Sequence, residues 1–185
     1  MNPIEELMAE HEGIKISLEI LRRIATRGSE PGGEIDLADV AQLIDFYKVF
    51  IDTCHHGKEE ELLFPALEEI GVSRNGGPIG VMLSEHDIGR MHVRGLDRIV
   101  REKDKGNGGF TKEFREKSEE YIQLLLAHIE KENLVLFRIA DQNLSTGKKE
   151  EIAEGFERIE SERIGTGKHE QYHRMLDQLQ KKYIG

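Results

Sequence analysis

Six side chains in this sequence have the types and spacing to hold metal ions. His11 lies between Leu7 and Ile14 on an apolar helical stripe, and His86 lies between Met82 and Val93 on another. His55 is followed four residues later by Glu59, and His128 four residues later by Glu132. That spacing stacks an imidazole and a carboxylate one turn apart on the same helix face. Imidazole nitrogen is a good terminal donor to iron, whereas a carboxylate has two oxygens and can bridge two cations, offsetting their repulsion. A lone histidine on an apolar stripe is ordinarily a hydrogen-bonded core residue. Two inward glutamates change the balance, because burying an uncompensated carboxylate is expensive.

The arrangement is duplicated. EHEGIKISLEIL around His11 precedes the first histidine–glutamate pair by 44 residues, and EHDIGRMHVRGL around His86 precedes the second by 42. The spacing His55, Glu59, Phe64 recurs as His128, Glu132, Phe137. Two helix hairpins related by an approximate twofold axis would set these ligands symmetrically about one centre. The adjacent pair His56 and Glu60 competes with His55 and Glu59 for this role. The neighbours of His55 are Tyr47 and Ile51, whereas His56 follows Asp52, so periodicity favours His55 and Glu59 as the ligand pair.

The elements that must position these groups are long helices separated by glycine-rich breaks. Asn2 and Pro3 start the first, which ends at RGSEPGGE. A second pattern runs from about Asp36 to Glu69, with Pro65 expected to bend its last turns. A third spans about Pro78 to Lys105, and a fourth, after DKGNGG, about Thr111 to Asp141. The expected fold is all-α, an up-and-down four-helix bundle over residues 1–143 with a C-terminal helical extension over 144–185. The extension carries the stripes Ile152, Phe156, Ile159 and Tyr172, Leu176, Leu179, Tyr183, joined by RIGTGK. Both should pack across the bundle and limit access to its centre, or one should join a partner chain.

Composition narrows the partners. The 36 acidic residues against 26 basic ones argue against a nucleic-acid surface. No apolar run approaches the roughly 20 residues of a membrane span, and MNPIEELMAEHE lacks the pattern of a secretory signal, so a cytoplasmic location is expected. The charge runs GKEEE and REKDK are expected to be solvated helix surface. Cys54 has no partner at telling spacing and is expected to be a buried or redox-sensitive thiol.

The succession His11, HHGKEEELLFPALEE, EHD at His86 and HIEKENLVLF resembles the hemerythrin-like proteins with the HHE cation-binding pattern, over about residues 4 to 141. The resemblance implies a four-helix bundle around two iron ions with a bridging oxo or hydroxo group, although zinc or manganese would suit the same donors. It implies terminal ligands His11, His55, His86 and His128, with Glu59 and Glu132 as bridging carboxylates. Arg90 stands where the oxygen carriers of the family have a further histidine, and their longer spacing to aspartate is replaced here by His128 and Glu132. In both respects the chain is more similar to the bacterial and archaeal branch. The implied function is binding or sensing of oxygen or a related small diatomic ligand. The alternative is redox chemistry on peroxide or nitric oxide, or repair of iron centres. His169 could dock over the centre as an additional ligand or from a second shell, and Tyr47 could offer a hydrogen bond to the pocket. His92 and His173 lie off the inward registers.

Overall fold

The computed structural model describes residues 2–103 and 109–185. Helix α1 (Pro3–Gly28) starts where Asn2 caps it, the side-chain oxygen accepting from Ile4 N at 3.0 Å, with Pro3 in the first turn where its missing N–H is not needed. Helix α2 (Leu37–Phe46) is capped by Asp36, which accepts from Ala38 N and Asp39 N. It continues through π-helical turns at Tyr47–His56 and Glu59–Leu63 into α3 (Phe64–Glu69). Pro65 thus falls in the first turn of α3, at the point where the wide turns give way to α-helix. Helix α4 (Pro78–Arg101) forms the third rod, and the fourth is α5 (Phe110–Lys131), a π turn at Glu132–Leu136 and α6 (Phe137–Asn143). The expected third-helix end at Lys105, most of the DKGNGG break and the last two residues of REKDK lie outside the described residues.

Rods pack in chain order: α1 on α2, α2 on α4, α4 on α5, and α5 back on α1. This is the expected all-α bundle, and no strand occurs among the described residues. No helix among them is long and apolar enough to cross a membrane. The interior is divided. One apolar cluster contains Ile14, Leu18, Ile51, Leu96, Tyr121 and Leu125, and a second contains Leu7, Leu63, Phe64, Met82, Leu136 and Phe137. The chain passes from one cluster to the other at His11 in α1 and at His86 in α4, so a polar layer separates them.

The last 40 residues fold back over the bundle as α7 (Thr146–Ile159), a π turn at Glu160–Ile164 and α8 (Lys168–Tyr183). Ile152 and Phe156 join the second cluster, and Tyr172, Leu176 and Leu179 join the first, with α8 lying along α1. Gly155 permits the close approach of α7, since a Cβ there would stand 2.6 Å from Leu62 Cδ1. Gly165 (φ 88°) and Gly167 (φ 80°) take the left-handed conformations that reverse the chain into α8. Removing residues after Gln142 is therefore expected to lower the melting temperature by several degrees and to speed oxidation of loaded metal, the expectation for a cover. Scanning calorimetry and the rate of reaction with oxygen check this; equal rates in full-length and shortened chains would show that the extension does not limit access.

Candidate metal centre

His11, His55, Glu59, His86, His128 and Glu132 are all at most 2% exposed, and they meet in the polar layer. His11 Nε2 and His55 Nε2 are 3.0 Å apart, and His86 Nε2 and His128 Nε2 are 3.1 Å apart. Nitrogens each about 2.1 Å from one ion and at right angles would be separated by about 3.0 Å, so each pair has the spacing of two ligands on a common metal. The carboxylates lie between the pairs. Glu59 Oε1 is 3.5 Å from His55 Nε2 and Glu59 Oε2 is 3.5 Å from His86 Nε2. Glu132 Oε2 is 3.3 Å from His11 Nε2, and Glu132 Oε1 is 3.2 Å from His128 Nε2.

Outside the layer, each of these histidines gives its second nitrogen to a fixed acceptor. His11 Nδ1 donates to Asn133 Oδ1 at 2.9 Å, His55 to Glu10 at 2.6 Å, His86 to Glu60 at 2.7 Å and His128 to Glu85 at 3.0 Å. Such partners fix the ring orientation and turn Nε2 inward, the arrangement that surrounds metal-bound histidines. The acceptors are themselves held. Glu10 and Glu85 bind the ammonium groups of Lys58 and Lys131, and Arg90 donates to Glu60 and Asp52 at 2.7 and 2.6 Å. Phe137 stacks on His11 and Phe64 on His86, so each of the duplicated phenylalanines braces a histidine ring of the opposite helix hairpin.

A cation fits this layer. All four carboxylate oxygens of Glu59 and Glu132 are buried without a hydrogen-bond partner, in a region that water does not solvate. Burial and the neighbouring Glu132 charge push the Glu59 carboxyl well above the usual range. Burial would do the same to Glu132, but the imidazoles of His128 and His11 outweigh it and hold that carboxyl low. Against its burial, the charge of Glu132, 3.2 Å away, and the hydrogen bond to Glu85 raise His128 to about 9. Burial lowers His55 to about 4.

His56 does not turn away from the core. It is 4% exposed and stands beside Glu59, His86 and His128, one of two overlapping donor groups, the other being His11, His55, Glu59 and Glu132. In an α-helix successive side chains diverge by about 100°, which is why the periodicity admitted only one of the adjacent histidines. The π-helical Tyr47–His56 advances each residue by a smaller angle, so both reach the interior. The five-residue step from each glutamate to its phenylalanine marks further π turns. Phe64 N–H donates to Glu59 O, and Phe137 N–H to Glu132 O, the hydrogen bond of a π turn at each glutamate.

Other expectations fare differently. The Tyr47 hydroxyl donates to Ser17 O at 3.1 Å and is not offered to the donor layer. His169 stands apart from both donor groups, with Nε2 3.5 Å from Glu10, the residue that orients His55. Lys58, in the run expected to be solvated, is wholly buried; its ammonium binds Glu6, Glu10 and Glu160. A protein cation therefore already serves the outlying group Glu10, Glu160 and His169. Arg101, Glu102 and Lys103 of REKDK are exposed as expected. Cys54 is buried, and burial pushes its thiol up to about 12.

No curated protein sequence matches the chain. The family model described as the hemerythrin HHE cation binding domain matches residues 2–140, the stretch that supplies both donor groups, and the chain belongs to that family.

Proposed function

We propose that the layer holds two iron ions, one on His11 and His55 and one on His86 and His128, bridged by Glu59 and Glu132, and that this centre binds oxygen or a related small diatomic ligand. The observation that carries the reading is the set of four buried, unpartnered carboxylate oxygens, distributed between the two histidine pairs. Bound iron would supply positive charge to those oxygens, accessible oxidation states and open positions for a small ligand. The chain supplies the rest. Asn133, Glu10, Glu60 and Glu85 hold the imidazole tautomers, and the apolar clusters above and below exclude water.

Exposure of the reduced, iron-loaded protein to oxygen tests the function. A stable absorption change reversed by removing oxygen supports ligand binding. Rapid irreversible oxidation with multiple turnovers would instead favour redox chemistry on peroxide or nitric oxide.

The protonation pattern makes a separate prediction. Near neutral pH His128 is protonated and His55 neutral, and burial with the Glu132 charge shifts Glu59 toward its protonated form. Loading should therefore release protons, from His128 and from Glu59. Affinity should accordingly increase with pH toward 9 and weaken progressively in acid. Calorimetric titration in buffers of different ionisation enthalpy measures the proton count, and a count near zero would contradict the assignment of these two residues as ligands.

A further inference from the structure

Beside the donor layer, toward the α2–α4 seam, lies a cavity of about 70 Å³. Its walls are largely apolar, formed by Ile51, Val93, Leu125 and the rings of Tyr47 and Tyr121, while Arg90 and Asp52 are joined across its rim. A single water occupies about 30 Å³ of liquid, so the space suits a molecule of two or three heavy atoms and not an organic substrate. His56 also lines it, and its Nδ1 is buried with no hydrogen-bond partner. The nearest carboxylate, Asp52 Oδ1, is 3.6 Å away, beyond bonding distance.

His56 differs from the four histidines with fixed acceptors in a second respect. Its ring stacks on that of His86, with centroids 3.8 Å apart and planes inclined by only 14°. An imidazole presents its lone pair in the ring plane. Two rings stacked face to face cannot converge their lone pairs on one ion, so His56 is not placed to share the metal of His86. It is a buried polar group without a partner, at the edge of a space without another unpartnered buried side-chain atom.

We propose that this cavity seats a small di- or triatomic hydrogen-bond acceptor, with the His56 imidazole as its hydrogen-bond donor and not as a metal ligand. The inference rests on the reading of the donor layer as a metal-dependent small-ligand centre, for which the cavity is the adjoining chamber. Lys48 is paired with Asp97, and Arg90 with Asp52, Glu60 and Asp87, so the preference for a hydrogen-bond acceptor rests on the unpartnered His56 nitrogen.

Three forms of the full chain test it: the wild type, His56→Leu and Gly89→Leu. Gly89 lines the cavity, and a Cβ there makes only ordinary contact, 3.9 Å from Tyr121 Cε2, so the helix admits a side chain that projects into the space. Xenon, followed by its NMR shift in chelated protein, should occupy the cavity in the wild type and His56→Leu and be excluded by Gly89→Leu. Azide, a linear triatomic acceptor, is followed by its effect on the iron absorption. Its affinity should fall about tenfold in His56→Leu, the effect of one lost hydrogen bond, with iron content unchanged. Loss of about half the iron from His56→Leu would overturn the proposal by making His56 a ligand. Azide affinity within twofold of the wild type in both variants would overturn it by making the cavity irrelevant. A wild type that holds no iron would defeat the functional reading instead, and xenon occupancy would still decide on the cavity: exclusion by Gly89→Leu sustains it, and no xenon in the wild type overturns it.

Discussion

Replacing Glu59 by glutamine is expected to stabilise the chelated protein while stripping it of metal. The carboxyl is wholly buried, neither oxygen has a donor, and burial together with the Glu132 charge pushes it well above the usual range. In the unfolded chain the same group ionises with an ordinary pKa near 4.3. Folding at neutral pH must therefore take up a proton, and this contribution to stability is progressively lost as pH rises above the unfolded value. Glutamine has nearly the same shape and no charge to suppress. The gain should be about 1–3 kcal/mol, which for a chain of this length is roughly 3–10 °C in melting temperature. It should grow between pH 5 and 8. Iron content should fall below one per chain, because one of the two carboxylates shared by the histidine pairs is gone. Thermal denaturation of the chelated variant at both pH values checks the sign. A lower melting temperature would mean that Glu59 is paired in the folded chain, contrary to its two partnerless oxygens.

The opposite result is expected at Lys58. Its ammonium is wholly buried against Glu6, Glu10 and Glu160, which come from α1 and from the π turn after α7. Burial alone would raise the Glu10 carboxyl, but hydrogen bonds with His169 and His55, together with the Lys58 charge, hold it well below the usual range. Lys58→Met leaves Glu10 buried without the ammonium 2.6 Å from it, a change that typically destabilises by about 3–5 kcal/mol. The melting temperature of the chelated protein should fall by roughly 10 °C. Adding Glu10→Gln should restore most of the loss, since the uncompensated charge is then also removed. A fall of less than about 2 °C would show that the ammonium is solvated and that α7 is held by its apolar stripe alone.

The contrast between these glutamates explains what could be read from the sequence. Apolar stripes around Leu7, Ile51, Val93 and Leu125 specified four core-facing rods, and the duplicated spacing picked out side chains that the fold brings within 3.0–3.9 Å of one another. Such periodicity depends on local geometry, and it fails where the geometry changes. The π turns bring His56 inside, and a reading at 3.6 residues per turn places it outside. The five-residue step from each glutamate to its phenylalanine was visible, but its meaning as a wider turn depends on the backbone hydrogen bond that closes it. Lys58 and His169 were misread or left open for another reason. Their partners are distant in the chain, with Glu160 102 residues from Lys58 and Glu10 159 residues from His169. Nothing local distinguishes a buried lysine with three remote carboxylates from one in a solvated charge run.

The central claim is that the paired donor groups hold iron, and elemental analysis of full-length protein purified without added metal tests it most directly. About two irons per chain are expected, one for each of the histidine pairs His11–His55 and His86–His128, with the content falling sharply in a Glu132→Ala variant. A stoichiometric zinc site, or wild-type protein without iron that takes up none from ferrous solution under anaerobic conditions, would contradict it.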